Sequence, residues 1–222
     1  MSFERLPAGT LARFAKLPTS SVSDALDRLG LPGQVDGLKP MLNGARICGQ
    51  AVTLRYLPVG IAGGTVGDFL HLAQAGDVIC IDNRGRVDCT VWGNILTEAA
   101  KALGIAGTVI DGVNRDVGES RDFGYPIWSC GHHSRTGKDR VALEATNVPI
   151  VLGRLRVDPG DVICADDSCV LAIPLPRAAD VLGVAEAIEA KEELILADIR
   201  AGVDLAEARR RHGYHALQTR SA

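Results

Sequence analysis

An eight-residue segment occurs twice in this chain. Ala75-Gly76-Asp77-Val78-Ile79-Cys80-Ile81-Asp82 returns, nearly letter for letter, as Pro159-Gly160-Asp161-Val162-Ile163-Cys164-Ala165-Asp166. Each copy is a Gly-Asp turn feeding a buried β-branched strand that ends in an aspartate. Gly-Asp ahead of Val-Ile is ordinary turn chemistry. The repeat therefore specifies two pseudo-equivalent strands of one sheet system, not two active sites.

Between the copies lies a helix followed by a strand. Trp92-Gly93-Asn94-Ile95-Leu96-Thr97-Glu98-Ala99-Ala100-Lys101-Ala102-Leu103-Gly104 is predicted to be helical, with Ile95, Leu96, Ala99, Ala100 and Leu103 on its apolar side and Gly104 as its stop. Ala106-Gly107-Thr108-Val109-Ile110-Asp111-Gly112 is predicted as a short buried strand that turns at once into Val113-Asn114-Arg115-Asp116. Upstream, the hydroxyls of Thr19-Ser20-Ser21 are expected to cap a helix carrying Val22, Leu26 and Leu29 that Gly30 ends. Residues 46–55 read as a strand in which Val52 and Leu54 alternate with more polar neighbours, and residues 149–152 as another. Residues 178–202 and 205–212 are expected as charged amphipathic helices with Val184, Ile188, Leu194 and Ile195 facing inward.

The chain has 222 residues, 46% of them hydrophobic, enough for one substantial core but short for two. Its 25 glycines punctuate short apolar runs and mark no linker. An α/β fold in a single domain over 1–222 is expected, with 178–222 as a C-terminal helical extension. The net charge of −3 and the scatter of basic residues, apart from Arg209, Arg210 and Arg211 on a solvated helix face, give no nucleic-acid footprint. No apolar run is long enough for a membrane span, and the first residues, Met1 to Lys16, lack the order of a signal peptide. A cytoplasmic protein is expected. Of its six cysteines, Cys80 and Cys164 sit in apolar runs as core residues, and spacings such as Cys164 to Cys169 make no zinc pattern.

In an α/β unit the start of a helix and the end of the following strand meet at one sheet edge. The first element brought there is Gly93-Asn94-Ile95-Leu96, a helix start whose amides and dipole attract an anion such as a carboxylate. The second is Asp111-Gly112-Val113-Asn114-Arg115-Asp116-Val117-Gly118-Glu119. It sets the fork-shaped cation Arg115 beside the hard oxygen ligand Asp116. That pair suits a 2-oxo acid bound to a divalent ion: Arg115 would grip the carboxylate or keto oxygen, and Asp116 would hold the metal.

The order Asn94, twenty residues, Arg115-Asp116, two residues, Glu119 resembles the motif of the RraA-like family, in its class II pyruvate aldolase branch. Ser23-Asp24-Ala25-Leu26, Gly76-Asp77-Val78, Trp92-Gly93-Asn94-Ile95-Leu96, Ala99-Ala100-Lys101, Gly104, Gly107, Asp111-Gly112-Val113-Asn114-Arg115-Asp116 and Pro159-Gly160-Asp161 extend the resemblance over most of the chain. Members of that branch cleave 4-hydroxy-4-methyl-2-oxoglutarate and 4-carboxy-4-hydroxy-2-oxoadipate or decarboxylate oxaloacetate. The resemblance implies a swivelling β/β/α fold, a homotrimer or homohexamer with sites between subunits, and Mg2+ or Mn2+ as cofactor. By matching position it implies that Gly93, Asn94, Ile95, Leu96 and Arg115 bind the pyruvate moiety, that Asp116 holds the metal with Glu119 as an outer partner, and that Arg115, Asp116 and Asn94 are catalytic. One departure stands out: the aldolases carry aspartate where this chain has Asn94, and an amide supplies no negative charge to order water or accept a proton. The superfamily also includes regulators that bind ribonuclease E and lack the aspartate after the arginine. Asp116 therefore favours the lyase over the alternative, a non-catalytic regulator of a protein partner such as a ribonuclease.

Other motifs carry less. In Cys130-Gly131-His132-His133 adjacent histidines point apart, so His132 or His133 is expected at the mouth of the site and not on zinc. His71, between Leu70 and Leu72, is expected to be partly buried, and Gly60-Ile61-Ala62-Gly63-Gly64-Thr65 lacks the lysine of a phosphate loop. Asp82 and Asp166 are expected to cap turns.

Overall fold

In the computed structural model, which describes residues 3–217, the two copies of the repeat lie on either side of one long strand. The helices, in chain order, are α1 (Ala8–Phe14), α2 (Thr19–Arg28), α3 (Asn94–Ala102), α4 (Val117–Asp122), α5 (Ala178–Arg200) and α6 (Leu205–His212). The strands are β1 (Gln34–Val35), β2 (Lys39–Pro40), β3 (Ile47–Pro58), β4 (Val78–Thr90), β5 (Gly107–Asn114), β6 (Ile127–His132), β7 (Val141–Thr146), β8 (Ile150–Leu152), β9 (Leu155–Val157), β10 (Val162–Ala165) and β11 (Val170–Ile173). The main sheet runs β1-β11-β10-β3-β4-β5-β6-β2, with β7 also on β3, and β8 and β9 form a separate hairpin. The last five residues of the expected helical extension, 218–222, lie outside the described residues.

The first copy of the repeat begins β4, parallel to β3, and the second forms β10, antiparallel to it. Their turns are built alike. Asp77 and Asp161 each accept an amide hydrogen from the residue three before, Gln74 and Asp158, at 2.8 Å. Gly76 and Gly160 take φ of 86° and 90°, a left-handed backbone that glycine alone adopts without strain. The copies do not end alike, however. β10 stops just before Asp166, whereas β4 runs on past Asp82 through a break in register to Thr90.

Sheet pleating sorts the core. Ala51, Val78, Cys80 and Val109 point to the face covered by Ile150, Leu152 and Val157 of the small hairpin. Their neighbours Val52, Leu54, Ile79, Ile81 and Ile110 point to the opposite face, onto Trp92, Ala100 and Tyr125 around α3 and α4. Val162, Cys164, Leu171 and Ile173 meet α2 and α5. The layers are thus hairpin, sheet and helices. The alternation expected in β3 is absent because both its faces are covered, and even Thr53 is fully buried, its hydroxyl donating to the Val148 carbonyl at 2.7 Å.

Several side chains depart from expectation. Helix α2 begins at Thr19, but its own hydroxyls do not cap it: Asp166 does, accepting the Thr19 amide at 3.1 Å and the Thr19 hydroxyl at 2.7 Å. On α3, Ile95 is 77% and Leu103 50% exposed, while Thr97 and Ala100 are buried. Leaving Ile95 in solvent forgoes roughly 2 kcal/mol of burial, so the inward face of α3 was chosen by polar bonding near the site and not by its apolar stripe. Leu194 is 52% exposed on α5, whereas Ile188 and Ile195 face inward as expected. His71 is exposed, not partly buried. No helix among the described residues is long and apolar enough to cross a membrane.

Candidate functional site

Strands β4, β5 and β6 are parallel neighbours, joined through α3 and α4. The end of β4 therefore opens into the start of α3 at the same edge where β5 delivers Arg115 and Asp116. One backbone bond sets the two loops in register: the Arg115 amide donates to the Trp92 carbonyl at 3.0 Å. Behind them the indole N–H of Trp92 donates to the Thr97 hydroxyl at 2.9 Å, and Thr97 meets Ser120 at 3.2 Å, all out of contact with water. Those bonds brace α3 against α4, and they explain why a threonine took the inward place that Ile95 was expected to fill.

Asp116 stands just before α4, without capping it through its side chain, at φ 55° and ψ 45°, a left-handed backbone that costs a non-glycine residue about 1 kcal/mol. Such strain persists where the surroundings hold it. Here Oδ2 accepts the Asn94 amide at 3.0 Å and lies 3.4 Å from Nε of Arg115. A Cβ on Gly93 would stand 2.7 Å from that oxygen and 3.0 Å from Arg115 Nε, so only glycine admits this approach. The terminal nitrogens of Arg115 make no hydrogen bond to any described residue, and its side chain is 39% exposed against 27% for Asp116. A free guanidinium fork and a half-open carboxylate thus share one helix start.

Two clefts meet at Arg115. One, of about 210 Å³, is lined by Val66, Asp68, Thr90, Trp92, Gly93, Asn94, Ile95, Leu96, Arg115 and Thr136, among others. The other, of about 280 Å³, is lined by Arg115, Asp116, Val117, His132, His133 and Ser134. The structure thus brings together Gly93, Asn94, Ile95, Leu96, Arg115 and Asp116, and it sets both histidines beside Arg115 and Asp116. Glu119 is exposed on the first turn of α4 and lines neither cleft. The Asn94 side-chain oxygen accepts the amide of Ile95 at 2.9 Å. Asp68, Thr90 and Thr136 escaped notice in the sequence because they come from separate segments with no motif of their own. Thr90 ends β4, and a bridge joins it to Thr136 just beyond β6.

A larger hollow of about 610 Å³ lies elsewhere, between Arg55, Asp82, Arg84, Glu144 and Arg156. Its charges are largely spent: Arg55 pairs with Glu144, and Asp82 accepts the amides of Arg84 and Val151. Asp111, the start of the β5 motif, faces away from the clefts. Burial first, then the neighbouring Asp82 carboxylate, pushes its carboxyl above the usual range.

For a metal, the described residues offer no cluster of three or more His, Cys, Asp or Glu. They do offer Asp116, whose Oδ1 has no hydrogen-bond partner, in a cleft open to water. Magnesium is bound through one or two carboxylates plus waters and substrate, so a lone carboxylate of this kind fits it, whereas a structural zinc site does not.

The sequence model of the RraA-like family (Aldolase/RraA) matches residues 19–172, which include every residue of this site. The chain belongs to the RraA-like family. Among its relatives, Protein DlpA of Legionella pneumophila is 38% identical over 88% of this chain, which spans only 32% of that longer protein. A Halalkalibacterium halodurans protein named "Putative 4-hydroxy-4-methyl-2-oxoglutarate aldolase" is 35% identical over 82% of this chain and 85% of its own. A crystal structure of a Pseudomonas syringae pv. tomato protein superposes with a TM-score of 0.87 at 38% identity, covering 93% of this chain and all of that one. That of RraAS2 from Streptomyces coelicolor, described as an unusual member of the RNase ES inhibitor RraA protein family, superposes with 0.81 at 26% identity, covering 86% and 98%. The RraA-like fold, the swivelling β/β/α arrangement with C-terminal helices, is the fold of this chain.

Proposed function

We propose that this RraA-like chain is a divalent-metal-dependent carbon–carbon lyase that releases pyruvate from 4-hydroxy-2-oxo acids, decarboxylates oxaloacetate, or does both. The observation that carries the proposal is the meeting of the Arg115 fork, the start of α3 and the Asp116 carboxylate where the two clefts join. Arg115 binds the 1-carboxylate or 2-keto oxygen through paired N–H bonds, and the start of α3 adds its dipole to the same negative charge. Asp116 holds Mg2+ or Mn2+, which when bound supplies Lewis-acid polarisation of the 2-keto group.

In retro-aldol cleavage the 4-hydroxyl gives its proton to a water molecule, the C3–C4 bond breaks, a carbonyl forms at C4 and the electron pair passes to the enolate of pyruvate. Arg115 stabilises the charge that collects on the oxygen. In decarboxylation the same pair comes from the bond to the leaving carboxylate, and no hydroxyl proton has to be removed. Water then protonates C3. Asn94, at the position where a base would serve, cannot accept the proton as a carboxylate does.

The proposal includes a cytoplasmic homotrimer or homohexamer with sites between subunits. The exposed Ile95 at the start of α3 supports it, since a neighbouring copy would cover it beside the cleft. A second possibility, a non-catalytic regulator that binds a ribonuclease, draws on the likeness to the Streptomyces RraA family member. Pyruvate formation from oxaloacetate and from 4-hydroxy-4-methyl-2-oxoglutarate, with and without Mg2+, tests the lyase. No pyruvate above background from either acid, together with ribonuclease inhibition, would establish the regulator.

A further inference from the structure

Two cysteines face each other across a strand pair of the main sheet. Cys48 of β3 and Cys164 of β10 are direct partners in the antiparallel register, and both are free thiols. The Cys164 thiol donates to the Cys48 sulfur at 3.6 Å, and the Cys48 thiol donates in turn to the Leu11 carbonyl at 3.5 Å. No other two thiols among the described residues share a hydrogen bond.

Side chains directly opposite in an antiparallel pair have Cβ atoms about 4.5–5.5 Å apart, and a disulfide needs about 3.5–4.5 Å. A small closing of the two strands therefore brings the sulfurs to bonding distance. The bond would leave no polar group stranded, because the Leu11 carbonyl still accepts the Ala15 amide at 2.9 Å. The two thiols differ in access: Cys48 is partly exposed, whereas Cys164 is buried. The hydrogen bond to Cys48, and then burial, push the Cys164 thiol well above its usual range and keep it protonated. A soluble oxidant thus meets Cys48 first, with Cys164 in contact behind it.

We propose that Cys48 and Cys164 are an oxidative modification site, a reversible disulfide that ties β3 to β10 when the protein meets a peroxide. Hydrogen peroxide transfers one oxygen to the Cys48 sulfur, giving a sulfenic acid and one water. The Cys164 sulfur then bonds to the Cys48 sulfur, the S–O bond breaks, and the hydroxyl leaves as a second water with the Cys164 proton. The two thiols together lose two electrons, and one peroxide gains them. The raised pKa of Cys164 slows its attack, and contact between the sulfurs favours it. An added dithiol reverses the bond by exchange. Because the two cysteines stand 116 positions apart, the link closes a long loop of the unfolded chain and stabilises the fold. Neither cysteine lines a cleft at Arg115, so the proposal stands apart from the lyase reading.

Treating the native protein with hydrogen peroxide, blocking free thiols with N-ethylmaleimide and digesting with trypsin tests the proposal by mass spectrometry. Peptide 47–55 should be found joined to peptide 157–177, with Cys169 of the latter blocked. The same treatment should raise Tm by roughly 5–15 °C, and dithiothreitol should reverse the rise. In Cys48→Ser the joined peptide and the rise should both vanish. Cys48 recovered free or as a sulfinic acid, Cys48 joined to any other cysteine, a joined peptide with no rise in Tm, or a rise that survives in Cys48→Ser each overturns the proposal. Should Cys48→Ser not fold, the peptide and Tm readings on the native chain decide by themselves.

Discussion

The amide of Asn94 donates to Oδ2 of Asp116 at 3.0 Å, joining the start of α3 to the loop after β5 across 22 positions of sequence. The same oxygen lies 3.4 Å from Arg115 Nε. Since one carboxylate oxygen is occupied in fixing the two loops, the other is the one left for a ligand. The αL backbone of Asp116 is the conformation that aims the side chain this way, and each element of this geometry can be disturbed separately.

Gly93→Ala introduces a Cβ 2.7 Å from that oxygen and 3.0 Å from Arg115 Nε. Gly93 itself has φ −154°, open to any residue, so the fold should survive. Displacing both groups by a fraction of an ångström should lower kcat/KM for pyruvate release about 100-fold, with a melting temperature near native. Unchanged kinetics would show that Asp116 and Arg115 need not stay where they are.

Asp116→Gly and Asp116→Ala should both abolish Mg2+-supported pyruvate release and weaken Mn2+ binding measured by electron paramagnetic resonance. They should differ in stability. Glycine tolerates φ 55° and alanine does not, so the glycine variant should be the more stable by about 1 kcal/mol, or about 2–4 °C in Tm for a chain of this size. Equal melting temperatures would mean the loop relaxes out of αL once the carboxylate is gone.

Arg115→Lys keeps the charge but loses the planar fork. Both KM and kcat should suffer, because a single ammonium cannot supply two parallel N–H bonds. Near-native constants would reduce Arg115 to a generic positive charge.

A chelator should stop pyruvate release, and added Mg2+ or Mn2+ should restore it, because the donors at the site are hard oxygens. Full turnover in excess chelator would remove the metal from the mechanism.

Asn94→Asp should shift the ratio of kcat/KM values from oxaloacetate decarboxylation towards cleavage of 4-hydroxy-4-methyl-2-oxoglutarate. A general base typically contributes ~10²–10⁴-fold, so the shift should be plain. A ratio that does not move would leave Asn94 as a helix-start residue whose oxygen only receives the Ile95 amide.

Much of this arrangement was legible in the sequence, because it is written in contiguous motifs. Gly76-Asp77 and Gly160-Asp161 do build matching turns, and the loop carrying Arg115 and Asp116 does meet the start of α3. What failed depended on partners distant in sequence. The apolar stripe of α3 predicted Ile95 inward, but the buried hydroxyl of Thr97 is paid for by bonds to Trp92 and Ser120 that no periodicity reveals. Likewise, nothing near Thr19 announces that Asp166 caps its helix, and nothing near Asp68 announces that it shares a cleft with Arg115.

The position of β3 between two strands of such different origin bears on how the chain is made. As synthesis proceeds from the N-terminus, β3 gains β4 within a few dozen residues, but its other edge stays unpaired until β7 and then β10 emerge far downstream, β7 taking its second half and β10 its first. Helix α2 waits as long for its cap, since Asp166 directly follows β10. Through a long stretch of translation the nascent protein thus carries an open, apolar strand edge of the kind that pairs with other chains. β7 covers part of that edge first, and protection is complete only when the second copy of the repeat clears the ribosome.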